Sequence, residues 1–271
     1  MRVGIAGFSG SGKSTVFHWL TGVAPDPSRS QQGQVGKPTI PDARLDWLAE
    51  HFKPKKTTPA QLEFLDTPGL LATERRDNPR RLGIMRDAGG LLVILTGYSG
   101  GDLADELRRF REEMLFADLE IVTARVDKLH DKLKKPRPAK EREADQAELD
   151  IIQRVATVME KGQGAAAAAL KGDEEKLIRS FQLLTLKPEL ILVNIGEDRV
   201  GQPLPADLLA LAPGAIQAPA KLERELEELS EEADAGPARV PRHARPACYR
   251  KARQPAPARH HARRWRPADR P

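Results

Sequence analysis

Residues 7–14 read Gly-Phe-Ser-Gly-Ser-Gly-Lys-Ser and match the pattern G-x-x-x-x-G-K-[ST] at every fixed position. The preceding run, residues 2–8, is short and apolar with β-branched side chains, which is typical of a buried strand. Residues 14–20 place apolar side chains on one face of a helix. Because strand, glycine loop and helix in this order are the context in which the pattern marks a phosphate-binding loop, we predict such a loop here. The alternative is a glycine-rich turn without a ligand.

Each residue type in this loop has a physical role in the prediction. Glycine lets successive backbone N–H groups converge on phosphate oxygens because it has no Cβ, and the helix N-terminus adds partial positive charge. The lysine is expected to reach the β- and γ-phosphates and to act in catalysis, and the serine hydroxyl is expected to bind Mg²⁺. The predicted nucleotide-binding residues are Gly10, Ser11, Gly12, Lys13, Ser14 and Thr15.

The composition narrows the class of protein. Hydrophobic residues make up 39% of the 271 residues and aromatic residues 4%, which indicates extended helical or unstructured parts. No apolar run approaches about 18 residues, so we expect no membrane span. The sequence starts with a predicted strand rather than a signal peptide, and a lone cysteine, Cys248, excludes an intrachain disulfide. We therefore expect a cytoplasmic protein.

The basic charge is concentrated in the last 36 residues. The chain carries +5 and residues 236–271 alone carry +10, which leaves −5 for residues 1–235. This tail is rich in Arg, Pro, Ala and His, and we expect it to be disordered. It could serve as a basic arm for RNA or phosphate. We favour the hypothesis that it arises from a frameshift, because its composition is that of GC-rich coding DNA translated out of frame.

Short apolar runs separated by helical patterns predict an α/β fold. Four further strands are predicted at residues 62–66, 90–95, 190–194 and 215–218, and a short helix at 41–48. Residues 23–37 are polar, contain Pro and Gly, and predict a loop. Continuous apolar strands with helices between them indicate a parallel sheet covered on both faces.

A heptad pattern separates the third and fourth strands. Apolar residues follow a 4, 3, 4, 3, 4 spacing at Leu115, Leu119, Val122, Val126, Leu129 and Leu133. Prolines at 136 and 138 end this helix, and a second charged helix carries Ile151, Val155 and Val158. Leu177, Phe181 and Leu184 repeat the spacing. We predict an antiparallel helical hairpin of the coiled-coil type that projects from the sheet. The alternative is that these helices cover the sheet.

Two further motifs follow predicted strands. Asp66-Thr-Pro-Gly69 fits a D-x-x-G element, in which Asp66 holds Mg²⁺ through water and the Gly69 N–H senses the γ-phosphate. The next residue, Leu70, is apolar and cannot position an attacking water, so hydrolysis should be slow or should rely on another residue or a partner. Asn194-Ile-Gly-Glu197 stands where guanine-specific proteins carry N-K-x-D, so Asn194 and Glu197 are candidate base-binding residues. The alternatives are an ordinary turn at Asp66 and a polar turn at Asn194 that contacts no base.

These motifs together resemble the Obg-related, YchF-type P-loop ATPases of the TRAFAC class. The resemblance covers about residues 1–235 and rests on segments 7–15, 35–46, 53–59, 63–70, 184–188, 194–197 and 221–229. It implies a P-loop G domain of residues 1–102 and 186–235 with a coiled helical insertion of residues 103–185. It also implies Mg²⁺, ATP or GTP as substrate and association with ribosomes, and we expect a monomer.

The chain differs from the family at several positions. Gly10 occupies a position where the family commonly has Asn. Ser30 aligns near the position of the family's switch I Thr. Pro219 occupies a position near the base where the family usually has Ser or Cys. Residues 72–81 contain no His, whereas the family has a His used in hydrolysis. The family's C-terminal TGS module has no counterpart in this sequence.

Three functions are compatible with these residues. The leading one is a slow nucleoside triphosphatase that acts as a molecular switch, with loops near residues 23–37 and 67–82 responding to the γ-phosphate. The second is a small-molecule kinase whose lid carries Arg75, Arg76, Arg80 and Arg81. The third is a scaffold that binds nucleotide without hydrolysing it.

Overall fold

The computed structural model describes most of residues 1–234. The residues left undescribed are Ser30, Pro41, Glu74, Arg137 and 235–271, and no side chain is described for Arg75 or for residues 230–234. The chain divides into two units, Met1–Glu227 and Glu228–Pro271. The predictions made for the basic tail and for Ser30 therefore lie outside the described residues.

A six-stranded sheet forms the centre of the first unit. Its strands are β1 (Arg2–Ala6), β2 (Gln34–Gly36), β3 (Glu63–Asp66), β4 (Gly90–Thr96), β5 (Glu189–Asn194) and β6 (Ile216–Ala218). They lie in the order β2-β3-β1-β4-β5-β6, and all neighbours are parallel except β2 and β3. The α/β prediction is confirmed, and the five predicted strands are present.

The edge strand β2 corrects the predicted loop at residues 23–37 and the prediction of an all-parallel sheet. Val35 of β2 pairs antiparallel with Leu65 of β3. The three residues of β2 have no alternating apolar pattern, so the strand is specified by its pairing with β3. Gly36 lets β2 lie close to Thr21, because a Cβ at Gly36 would lie only 2.7 Å from Thr21 Cβ.

Helices cover both faces of the sheet. Their bounds are α1 (Lys13–Thr21), α2 (Ala43–Phe52), α3 (Asn78–Arg86), α4 (Leu103–Leu133), α5 (Ala139–Glu160), α6 (Gly172–Ile178), α7 (Ala206–Leu211) and α8 (Ala220–Asp234). One core cluster includes Ile5, Ile94 and α1 residue Phe17, and the other joins Val93 to residues of α3, α4 and α7. In the part of the chain that the structure describes, no helix combines the length and apolar character needed to cross a membrane.

Helices α4 and α5 pack against each other around an apolar core of their own. Val122, Ile152 and Val155 are fully buried in it. The Arg125 guanidinium donates to both carboxylate oxygens of Glu148 at 2.7 Å, which adds a bidentate ion pair between the two helices. The apolar seam of α4 therefore faces α5, as its spacing indicates.

The two ends of the predicted apolar seam differ in outcome. Leu103, Leu107 and Phe110 belong to the core beside the sheet, and the apolar core of the hairpin starts at Leu115, the first residue of the predicted seam. Leu177 was expected on the apolar seam, but it is half-exposed and Ile178 is buried. The helical spacing does not apply there, because α6 ends at Ile178 and a short 3₁₀ turn follows.

The parallel strands end at one edge of the sheet. β1 ends at Ala6, β3 at Asp66, β4 at Thr96 and β5 at Asn194. The central strand β1 has β3 on one side and β4 on the other, so the direction in which strands are added to the sheet reverses at β1. This makes the edge a topological switch point. Ligands of open α/β sheets bind at such points.

Candidate nucleotide site

The glycine loop between β1 and α1 requires glycine at specific positions. Gly7, Gly10 and Gly12 have φ angles of 141°, 87° and 88°. A Cβ at Gly7 would lie 2.5 Å from the Ile94 carbonyl oxygen, and one at Gly12 would overlap Asn194 Nδ2. The tight loop therefore depends on both the backbone freedom and the small size of glycine.

The Lys13 ammonium is buried across the loop. Lys13 is only 7% exposed, and its Nζ donates to the Phe8 carbonyl at 2.7 Å. Burial lowers the pKa of Lys13 to about 8, although the charge of Asp66 opposes the shift. At neutral pH the site therefore holds a desolvated positive charge with a single described hydrogen-bond acceptor, which suits an anionic ligand.

Ser14 and Asp66 form a pair of oxygen ligands at the start of α1. Ser14 Oγ donates to Asp66 Oδ2 at 2.8 Å. The second oxygen, Oδ1, is buried and has no hydrogen-bond partner in the described part of the chain. Burial raises the pKa of Asp66, while the Ser14 hydrogen bond and the Lys13 charge oppose the shift. A buried carboxylate oxygen without a partner beside a hydroxyl fits a hard cation such as Mg²⁺.

The loop that follows Asp66 is joined to the glycine loop by backbone hydrogen bonds. The Leu70 N–H donates to the Gly7 carbonyl at 3.1 Å, and the Ser9 N–H donates to the Leu70 carbonyl at 2.8 Å. A Cβ at Gly69 would lie 2.6 Å from Lys13 Nζ and 2.7 Å from Ser9 Cα. The structure thus brings together four residues that the motifs predict as site residues: Lys13, Ser14, Asp66 and Gly69.

Leu70 is fully buried in the core on the α4 side of the sheet. Its side chain therefore points away from any ligand in the glycine loop. Its burial explains why an apolar residue is found here, and it leaves the hydrolytic water without a partner at this position.

Asn194 and Glu197 are placed differently from each other. Asn194 is only 6% exposed. Its side-chain amide donates to the Ser11 carbonyl at 3.2 Å and accepts from the Ala220 N–H at 3.3 Å. Both ends of the amide thus bond to the protein itself, so Asn194 braces the glycine loop. Glu197 starts an exposed 3₁₀ turn beyond β5. Ile195, in the lysine position of the guanine motif, is buried in the core.

Comparisons with known proteins show which proteins this chain resembles. The family model described as "50S ribosome-binding GTPase" matches residues 2–125. The chain is 28% identical over 258 residues to the "Ribosome-binding ATPase YchF" of Haemophilus ducreyi and 27% identical over 220 residues to that of Bacillus subtilis. It superposes on the structure of the Schizosaccharomyces pombe YchF GTPase with a TM-score of 0.68 and 26% identity. The chain is similar to YchF-type P-loop GTPases and ATPases.

These matches cover most of this chain and a smaller part of the relatives. The Haemophilus match covers 85% of this chain and 68% of the relative, and the Bacillus match 75% and 58%. The match to the Schizosaccharomyces structure covers 87% of this chain and 71% of the Schizosaccharomyces chain. The resemblance to YchF-type proteins inferred from the sequence is therefore confirmed for the shared region.

Three residues around the candidate site were not predicted by the nucleotide-binding motifs, although Arg81 was named for the kinase alternative. The Tyr98 hydroxyl donates to the Gly10 carbonyl, although the two residues are 88 positions apart. Glu106 accepts from the Thr96 N–H and hydroxyl, both at 2.9 Å, and burial raises its pKa. Arg81 Nη1 donates to the Gly69 carbonyl. Each contact depends on how the helices pack against the sheet edge.

The donor set limits which metals the site could hold. Among the described residues, no three His, Cys, Asp or Glu side chains are grouped so as to bind a metal ion. Mg²⁺ needs fewer protein ligands than that, because waters and nucleotide phosphates complete its octahedral shell. Ser14 and Asp66 are therefore the residues that would hold it.

Proposed function

We propose that this chain binds the magnesium complex of ATP or GTP and hydrolyses it slowly as a molecular switch. The observation that carries the proposal is the convergence of three features at one sheet edge. These are the glycine loop with its positive φ angles, the buried Lys13 ammonium and the Ser14–Asp66 pair with its unpartnered oxygen. The similarity to YchF-type proteins and to a GTPase family model supports the same conclusion.

Each of these groups has a defined part in the proposed reaction. Backbone N–H groups of residues 10–15 bind the phosphate oxygens, and Lys13 exchanges the Phe8 carbonyl for the β- and γ-phosphates. Bound Mg²⁺ would neutralise phosphate charge, held by Ser14 and Asp66. The Gly69 N–H responds to the γ-phosphate, and the hydrogen bonds at Leu70 link that response to the glycine loop.

The residue that contacts the base is proposed from the surroundings of residues 194–197. Because the Asn194 amide bonds to the glycine loop and the backbone of Ala220, we assign base contact to the exposed Glu197. A Glu in this position can accept hydrogen bonds from an exocyclic amino group. ATP and GTP both remain candidate substrates.

The partner is proposed from the relatives. The names of the Haemophilus and Bacillus relatives describe ribosome-binding ATPases. We propose that this chain also binds ribosomes, as a cytoplasmic monomer. The helical hairpin of α4 and α5 is the proposed contact surface.

The two alternative functions stand differently. The reported relatives are ATPases and a GTPase by name, which gives no support to a small-molecule kinase. The burial of Leu70 keeps the non-hydrolysing scaffold as a second candidate, because nothing at that position can orient water.

Single-turnover hydrolysis separates the switch from the scaffold. Wild type and Lys13→Ala are mixed with γ-labelled ATP or GTP, each with and without purified ribosomes. A switch releases phosphate faster than Lys13→Ala in at least one condition. Rates equal to those of Lys13→Ala in every condition would establish the scaffold instead.

A further inference from the structure

Arg81 is held against the same loop that carries Gly69. It lies in α3, and its Nη1 donates to the Gly69 carbonyl. The first residue of α3, Asn78, fixes the helix to this loop. The Asn78 side chain accepts from the Leu71 N–H at 2.9 Å and donates to the Leu71 carbonyl at 3.0 Å. The guanidinium is thus positioned by two attachments to the loop after Asp66.

The guanidinium lies close to the Lys13 ammonium. Gly69 separates the two, since its carbonyl accepts from Arg81 and a Cβ on its other side would lie 2.6 Å from Lys13 Nζ. The positive charge of Arg81 is also one of the causes that lower the pKa of Lys13, after burial. A second cation therefore lies near the place where a γ-phosphate would contact Lys13.

The guanidinium has unused hydrogen-bonding capacity. Its Nε is buried and has no hydrogen-bond partner, and within the described ranges no carboxylate forms an ion pair with Arg81. Arg81 as a residue is partly exposed, but its buried Nε–H lacks an acceptor, and a buried donor without an acceptor carries a desolvation cost. A γ-phosphate at the glycine loop would provide an anionic acceptor.

We propose that Arg81 is an arginine finger supplied by the chain itself, which contacts the γ-phosphate in the transition state. The proposal rests on the nucleotide hydrolysis proposed above. In that reaction a water oxygen bonds to the γ-phosphorus, and the bond from phosphorus to the bridging oxygen breaks. The electron pair stays on the diphosphate, and the water proton leaves with inorganic phosphate. Arg81 transfers no proton and stabilises the charge on the phosphoryl oxygens.

An alternative role for Arg81 is to brace the Gly69 carbonyl without contacting nucleotide. The variant Arg81→Gln separates the two roles, because its amide can still donate to that carbonyl but carries no charge. Arg81→Lys keeps the charge without the planar fork. Arg80→Ala is the matched control, since Arg80 is the exposed neighbour on the same helix.

The test compares ground-state and transition-state ligands on the full chain. Calorimetry measures affinity for the diphosphate, the triphosphate, and the diphosphate with aluminium fluoride, and single-turnover assays measure hydrolysis. We expect Arg81→Gln to slow hydrolysis about 10³-fold and to weaken the aluminium fluoride complex, with diphosphate affinity unchanged. Arg81→Lys should retain part of the rate, and Arg80→Ala should match wild type.

Two results would overturn the inference. One is hydrolysis by Arg81→Gln at the wild-type rate, and the other is an equal loss of affinity for diphosphate and for the aluminium fluoride complex. Failure of the proposed function has a different signature, because wild type would then either bind no triphosphate or hydrolyse it no faster than Lys13→Ala. A thermal unfolding curve for each variant shows whether it is folded.

Discussion

At the scale of single residues, the glycine loop has little tolerance for a side chain. A Cβ at Gly12 would overlap the Asn194 amide, and Gly12 has a φ of 88°. By contrast, a Cβ at Gly83 in α3 would meet no atom within 4 Å. The two glycines therefore form a matched pair for substitution by alanine.

We predict that Gly12→Ala destabilises the protein and abolishes nucleotide binding. Backbone strain of this kind costs about 1–3 kcal/mol, before the displacement of Asn194 is added. Gly83→Ala should instead stabilise by up to about 1 kcal/mol, because alanine favours a helix interior. Urea unfolding and calorimetry measure both effects. Wild-type affinity in Gly12→Ala would contradict the geometry of the loop.

Asn194 offers a second prediction at this scale, because its amide bonds to the glycine loop and to the backbone of Ala220. Asn194→Asp places a carboxylate oxygen against the Ser11 carbonyl in place of the donor seen at 3.2 Å. We expect a loss of about 1–3 kcal/mol in stability and an equal loss of affinity for ATP and GTP. Glu197→Gln should change the ratio of the two affinities instead. A changed ratio in Asn194→Asp with normal stability would refute the bracing role.

At the scale of elements, one buried carboxylate joins α3, α4 and the segment before β5. Asp118 is fully buried and accepts from Arg86 at 2.6 Å. It also accepts from the Thr185 N–H and hydroxyl at 2.8 and 2.9 Å. Arg86 is nearly buried as well, so the pair is satisfied only while all three elements are in place.

We predict that Asp118→Ala destabilises the first unit by about 3–5 kcal/mol, because it leaves the Arg86 charge buried without its partner. Asp127→Ala is the control, since Asp127 is an exposed aspartate on the same helix. Chemical denaturation of both variants measures the difference. A cost for Asp118→Ala no larger than that for Asp127→Ala would show that the buried pair does not hold the elements together.

The elements that the sequence predicts are those with strong local patterns. The seam through Val122 and Leu129 follows from spacing alone and is buried. β2 could not be predicted, because Val35 is in a strand only through its pairing with Leu65. The buried Ile178 was missed for a related reason, since the helical period stops where α6 ends.

At the scale of the whole molecule, the site is predictable where it is built from one loop and a strand end. Lys13, Ser14 and Asp66 lie where their motifs indicate. Tyr98 was not predicted at the site, and Arg81 was named only as a lid residue of the kinase alternative, because their approach to Gly10 and Gly69 depends on packing between distant segments. Local motifs therefore predict the phosphate site, while tertiary structure adds the groups around it.

Nucleotide binding should stabilise the whole first unit in a magnesium-dependent manner. A ligand at 100 times its dissociation constant adds about 2.7 kcal/mol of stability. We predict a rise in melting temperature with ATP or GTP plus Mg²⁺. Chelation by EDTA should remove most of that rise, and Asp66→Asn should show little of it, because Asp66 supplies the buried oxygen. A rise that is identical with EDTA would show that the carboxylate does not serve a metal.

The most direct test of the central claim is titration calorimetry of the magnesium complexes of ATP and GTP against three proteins. These are wild type, Lys13→Ala and Lys128→Ala, the last replacing an exposed lysine on α4. We predict that wild type and Lys128→Ala bind at least one nucleotide with equal affinity. Lys13→Ala should bind it about 10- to 150-fold more weakly, the equivalent of about 1.5–3 kcal/mol for hydrogen bonds to a charged group. Equal affinity in wild type and Lys13→Ala, or no binding by wild type, would contradict the account.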